Sequence, residues 1–277
     1  MNCAWRDLIS ILPMWLRSDV DKQGRATLLE LRLRLHMPPM LVGCNPDKEI
    51  QNLITERDLS FVVNTASQYS PWSASTASQG YITAPGGHRI GLCGDAVITE
   101  RGMSGVRRVT SLCIRVARDF PEIAERLRSV QGSVLIIGAP GTGKTTLLRD
   151  LIRQRAHRSN VAVVDERGEL FPECADFSRG SNTDVLYGCV KSHAIPVLLR
   201  TMSPQTIAVD EITSEEDCTA LMKAGWCGVS LLATAHASSV YDLKNRPVYK
   251  PLLHSGLFDT LVILGQDKSW RMEKVVA

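Results

Sequence analysis

Of the nine consecutive residues Gly138-Ala139-Pro140-Gly141-Thr142-Gly143-Lys144-Thr145-Thr146, the first eight fit the pattern G-x-x-x-x-G-K-[ST] without a gap. Glycines at this spacing let the backbone curl its amides round an anion. The lysine adds a mobile positive charge, and the next hydroxyl adds a hard oxygen donor. The chemistry that suits such a loop is the binding of a nucleoside triphosphate with Mg2+. Lys144 is expected to reach the β- and γ-phosphates, Thr145 to ligate the metal, and Thr146 to lie by the α-phosphate. The flanks agree: residues 133–137 are an apolar, strand-length run, and residues 145–152 place apolar side chains on one helical face. The helix N-terminus adds positive potential where the phosphates would sit.

Hydrolysis would further need an acid near the metal and a group that orients water. Thr206-Ile207-Ala208-Val209-Asp210-Glu211 reads as a buried strand with two acids at its C-terminal end. Ligands bind at that end in open parallel sheets. Asp210 is the expected Mg2+ partner, directly or through water, and Glu211 the expected base or water-positioning group. Val163-Val164-Asp165-Glu166 is a second acidic strand end. Asp165 or Glu166 is expected to support the metal's water shell; capping or an ion pair with Arg167 is the plainer alternative. Leu231-Leu232-Ala233-Thr234-Ala235-His236 is a third apolar strand ending in polar groups, and Thr234 and His236 are expected to sense the γ-phosphate. Arg167, Arg179 and Arg200, and Arg89, Arg107, Arg108 and Arg115 earlier in the chain, are candidates to neutralise developing phosphate charge.

The elements that must position these groups change character near residue 130. Before it, residues 1–20 have apolar side chains at helical spacing, broken by Pro13. Leu29-Glu30-Leu31-Arg32-Leu33-Arg34-Leu35 alternates with a period of two, which signals a strand, and residues 40–42 suit its hairpin partner. Residues 56–79 read as helical with a break at 70–71. Residues 81–83 and 88–97 read as strands about a Pro-Gly-Gly turn, and residues 111–117 alternate again. Residues 120–129 are expected to form a short joining helix. Beyond it, strands are expected at 133–138, 161–165, 206–210, 229–234 and 258–264. Helices are expected at 143–157, 188–202 and 214–225, with an edge hairpin at 270–275. The expected architecture is α/β: a smaller α+β domain over 1–119 with a mostly antiparallel sheet, then a P-loop domain over 120–277 with a mostly parallel sheet.

Composition narrows the class. Of 277 residues, 44% are hydrophobic and 22% charged, which excludes wholesale disorder. A net charge of +3 is too mild for a nucleic-acid-binding stripe. No apolar run reaches the ~18–20 residues that span a bilayer, and no secretory signal is read at the start. A cytoplasmic protein is expected, held at any membrane through a partner. The eight cysteines form no C-x-x-C pair and the six histidines show no H-x-x-x-H spacing, so reduced thiols and no zinc site are expected.

The order of the boxes, 138–145, 165–169, 207–211 and 234–236, resembles that of the secretion ATPases of type II and type IV systems. There they are called Walker A, Asp box, Walker B and His box. The whole chain is similar to the stage III sporulation AA family of endospore-forming bacteria. That similarity rests on Glu30-Leu31-Arg32-Leu33-Arg34, Gly80-Tyr81-Ile82-Thr83, Gly86-Gly87-His88-Arg89-Ile90-Gly91, Val164-Asp165-Glu166-Arg167 and Ala233-Thr234-Ala235-His236-Ala237. The resemblance implies a RecA-like, AAA-type ATPase working as a ring, with a hexamer expected. It would energise a secretion-like channel between mother cell and forespore, with membrane-embedded channel proteins as partners. Lys144, Thr145 and Glu211 would keep the roles above, with Glu166 and His236 beside them. The chain departs from secretion ATPases in carrying Asp210-Glu211 where they carry Gly-Glu, and Asp165-Glu166 where they carry Glu-Asp. It lacks the tetracysteine module of some type II relatives, and the short 238–257 segment disfavours pilus retraction. Two other readings stand beside this one: a nucleic-acid-associated RecA-like ATPase, and a nucleotide-dependent assembly module with little turnover. Low aromatic content, 5%, counts against the first.

Overall fold

In the computed structural model the described residues are 1–67, 80–100, 102–172 and 175–275. They divide into two units, Met1–Asp119 with Pro172–Asp176, and Phe120–Phe171 with Phe177–Ala277.

The first unit opens with α1 (Trp5–Ser10) and α2 (Met14–Asp21). Pro13 divides them, since its extended ψ cannot continue α1 and its ring suits a helix start. A six-stranded sheet follows: β1 (Glu30–Arg34), β2 (Met40–Val42), β3 (Lys48–Glu49), β4 (Tyr81–Thr83), β5 (Arg89–Thr99) and β6 (Gly102–Arg115). Its order is β3-β2-β1-β6-β5-β4, with every pairing antiparallel. The period-two reading holds in β1, where Leu31 and Leu33 are buried beneath the sheet while Glu30 and Arg32 pair on the other face. Leu8, Leu12 and Leu16 join them in the core.

The helix expected over 56–79 is α3 (Glu56–Ser67); residues 68–79 lie outside the described residues. Thr55 and Asp58 cap α3 reciprocally, the Thr55 hydroxyl accepting from Asp58 N and the Asp58 carboxylate from Thr55 N. In the Gly86-Gly87-His88 turn, the His88 ring is fully buried. Its Nδ1 accepts from Ala117 N at 3.1 Å and its Nε2 faces Ala4 O at 3.0 Å. These partners fix the neutral tautomer with the proton on Nε2.

The second unit runs β7 (Val134–Gly138), α4 (Lys144–Ala156), β8 (Val161–Asp165), β9 (Thr183–Tyr187), α5 (Lys191–Thr201), β10 (Thr206–Glu211) and α6 (Glu215–Trp226). It continues with β11 (Ser230–His236), α7 (Val240–Asn245), α8 (Lys250–His254), β12 (Thr260–Leu264) and β13 (Trp270–Lys274). The seven strands lie in the order β13-β12-β7-β11-β10-β8-β9. Every pairing is parallel except β12–β13, the expected edge hairpin. Strands β7, β8 and β12 are buried along their whole length, as a sheet covered on both faces requires.

Three local expectations are corrected. Residues 120–129 form turns with one 3-10 turn at Glu125–Leu127, not a helix. Tertiary bonds take over there: Ala124 N donates to the buried Asp150 carboxylate at 2.8 Å. Strand β9 was not expected, because Thr183–Tyr187 is half-exposed and lacks a continuous apolar run; pairing with β8 makes it a strand. The helix read from 188 begins at Lys191.

Candidate functional site

Strand order sets the row of chemical groups. The C-terminal ends of β7, β11, β10 and β8 lie side by side, carrying Gly138, His236, Glu211 and Asp165 in that lateral order. His236 is in register with Gly138, so the last box in sequence is the neighbour of the first.

The loop after β7 turns through Gly141 and Gly143, and Gly143 begins α4 at φ 101°, a left-handed conformation that a β-carbon would strain. Pro140 and Gly141 are exposed, Ala139 is half-buried, and the Thr142 hydroxyl donates back to Ala139 O at 2.9 Å. Thr146 sits half-buried in the first turn of α4.

Lys144 is buried and its ammonium donates to Gly138 O at 3.0 Å, Ala139 O at 3.1 Å and His236 Nδ1 at 2.9 Å. An ammonium can only donate, so His236 Nδ1 accepts and Nε2 carries the proton. Nε2 meets Glu211 Oε1 at 3.0 Å. One imidazole thus joins the lysine to the acid. Burial lowers the Lys144 pKa, and the Glu211 and Asp210 charges pull it back.

Asp210 falls at an irregularity in the β10–β11 register, between Val209 and Glu211. Such a bulge re-aims side chains. Asp210 turns to Thr145, whose hydroxyl donates to Oδ1 at 3.1 Å, while Glu211 turns to His236. Burial first, then the Asp165 charge, pushes the Asp210 carboxyl up to about 6; the Thr145 hydroxyl draws it down. A hydroxyl and a carboxylate converging here form a hard oxygen pair that would suit Mg2+, with waters and phosphate oxygens completing its shell.

The second acidic strand end splits into two roles. Asp165 accepts from Glu169 N at 2.8 Å, Leu170 N at 3.0 Å and Phe171 N at 2.8 Å, so both oxygens brace the following loop. Glu166 faces the cavity, where Lys191 Nζ approaches Oε2 at 2.6 Å. Asp210, Glu211 and Arg167 line the same cavity. The Thr234 hydroxyl is buried and meets no hydrogen-bond partner among the described residues. Of the other arginines, Arg179 lies over the Tyr187 ring and Arg200 is exposed. In the first unit Arg89 stacks on Tyr81, Arg108 meets Glu56, Arg115 approaches Glu30, and Arg107 is exposed.

The motifs did not single out Arg149 or Lys191. Arg149 is buried and donates to Leu170 O and Glu169 O, gripping the loop that Asp165 braces. Helical spacing carried a signal for it, since Arg149 lies four residues after Thr145 on α4. Nothing local marks Lys191.

Solved structures share this fold. The ATPase DotB of Yersinia pseudotuberculosis superposes with a TM-score of 0.59 at 10% identity, covering 95% of this chain and 79% of that one. The pilus retraction motor PilT with bound ADP gives 0.58 at 13%, covering 88% and 76%. The fold is therefore the RecA-like P-loop fold of secretion ATPases. In sequence, residues 7–274 match the family model described as sporulation stage III, protein AA. The stage III sporulation protein AA of Bacillus subtilis (strain 168) is 33% identical over 280 residues, covering 95% of this chain and 91% of the relative. The chain belongs to the sporulation stage III, protein AA family.

Proposed function

We propose that this protein is a Mg2+-dependent ATPase motor. In this reading it works as a ring, a hexamer by analogy with secretion ATPases, and energises assembly of, or transport through, a channel between mother cell and forespore. No described helix is long and apolar enough to cross a membrane, so membrane-embedded channel proteins would have to hold it there. The observation that carries the proposal is the hydrogen-bonded chain Lys144–His236–Glu211 beside the Thr145–Asp210 pair, all at the mouth of one Gly-rich loop.

In the proposed reaction the N–H groups of 138–143 other than Pro140, which has none, and the start of α4 bind the triphosphate. Thr145 and Asp210 would hold Mg2+, which neutralises charge on the phosphates. A phosphate oxygen is a stronger acceptor for Lys144 than the carbonyls it now meets, because the bond is charge-assisted at both ends. Moving Lys144 to the phosphate takes a donor from His236 and so alters its hold on Glu211. Glu211 orients water for attack on the γ-phosphorus, the β–γ bridging bond breaks, and ADP and phosphate leave. Glu166 would support the water shell from the opposite side of the cavity.

The test is ATP turnover with matched variants. Lys144→Ala loses nucleotide binding or hydrolysis. Glu211→Gln keeps nucleotide binding and loses about 100-fold or more in kcat, as removal of a group acting at the transition state does. Wild-type rates in Lys144→Ala would sink the site. Sporulation that proceeds normally with a hydrolysis-dead Glu211→Gln protein would replace the motor by an assembly module.

A further inference from the structure

Lys191 is the first residue of α5, and its side chain is only 6% exposed. Both facts oppose it on elementary grounds. A cation at a helix N-terminus meets the positive end of the macrodipole. A buried ammonium needs partners to offset its lost hydration. A local choice that conflicts with its own element is expected where function demands it.

The partners show what is gained. Lys191 Nζ lies 2.6 Å from Glu166 Oε2, just past the end of β8, and 3.6 Å from Asp217 Oδ2, in the first turn of α6. That same Asp217 oxygen accepts from Thr213 N at 2.9 Å and Thr213 Oγ1 at 3.0 Å. Thr213 is two residues beyond Glu211, and Ile212 N between them is fixed to Thr234 O at 2.9 Å. One ammonium therefore ties the end of β8 to the segment that leaves β10. Glu166, Lys191, Asp210, Glu211 and Thr213 line one cavity.

We infer that Lys191 is a positioning residue for ATP hydrolysis, its ammonium holding Glu166 and, through Asp217 and Thr213, the Glu211 segment at their separation across the cavity. This inference rests on the ATPase reading above. The ammonium of Lys191 pairs with Glu166 and Asp217, and among the described residues it makes no hydrogen bond or ion pair with the Gly-rich loop or Lys144, so its loss should act on turnover and spare nucleotide affinity.

The experiment measures kcat, KM for ATP at saturating Mg2+ and melting temperature for wild type, Lys191→Met, Glu166→Gln, their double variant and Asp217→Asn. Lys191→Met is expected to lower kcat about 10- to 100-fold, the scale of a displaced reacting group, with KM changed less than about threefold. Because the two residues act as a unit, the double variant is expected to be no slower than the slower single one. Asp217→Asn keeps the shape and can keep the Thr213 bonds while dropping the charge that draws Lys191. It is expected to lower kcat at an unchanged melting temperature, and it decides the matter should Lys191→Met fail to fold. Unchanged kcat in Asp217→Asn and in any folded Lys191→Met, or multiplicative losses in the double variant, would overturn the inference alone. Wild-type turnover no greater than that of Lys144→Ala would instead overturn the ATPase reading, and this inference with it.

Discussion

His88 shows how a residue can look functional and be architectural. Its place in Gly86-Gly87-His88-Arg89 marks it in the sequence, yet both ring nitrogens are spent within the first unit, on Ala4 and Ala117. Burial holds its pKa below the ordinary histidine value, with Ala4 and Asp7 only partly opposing. The unfolded chain therefore binds the proton more readily than the folded one. His88 favours the native state fully above about pH 6.5, and this contribution is lost as pH falls below that value toward the folded pKa. The first unit is expected to melt at a lower temperature at pH 5 than at pH 7.5. His88→Gln, which can make the same two bonds without titrating, is expected to flatten that slope; parallel pH profiles for the two proteins in thermal melts would contradict this. His236 contrasts with His88: its ring bridges Lys144 and Glu211, which would place it within the chemistry of the proposed ATPase.

At the scale of elements, α4 does more than carry Lys144 and Thr145 in its first turn. Along its length Arg149 grips the loop after β8, while Asp150, fully buried, pairs with Arg153 at 2.6 Å and accepts from Ala124 N. Arg153 also donates to Ser178 O at 3.0 Å. The helix is thus pinned to the segments on both sides, and its position fixes that of Lys144 and Thr145. Asp150→Ala would strip a buried guanidinium of its carboxylate and orphan an amide. It is expected to cost about 3–5 kcal/mol of stability, read as a lower midpoint in denaturant unfolding of the second unit. Asp150→Asn, which can still accept from Ala124, should cost less. The same bracing accounts for Asp165: both acids of the Asp box line the cavity, but three backbone amides claim Asp165 while Glu166 pairs with Lys191.

At the scale of the whole molecule, the proposed motor is a ring. Mass by light scattering is expected to rise from that of one 277-residue chain to a closed oligomer when ATP and Mg2+ are added, and a monomer under all conditions would count against the ring. Much of the architecture was legible beforehand. The Gly-rich run between apolar strand and helix, the acids ending 206–211 and the period-two alternation of 29–35 are local patterns, and local patterns fix element type and the groups at element ends. What was not legible is lateral order. The sequence runs P-loop, Asp165, Asp210, His236, whereas the sheet places β11 between β7 and β10, so His236 comes to stand between Lys144 and Glu211. The irregular register at Asp210 and the burial of Lys191 were equally hidden. Residue types and their spacing determined by themselves that this chain has a Gly-rich loop between a strand and a helix, and acids at the ends of two other strands. Only the tertiary structure decided which acid braces a loop and which pairs with a distant lysine, because strand order and burial are set by contacts between segments far apart in the chain.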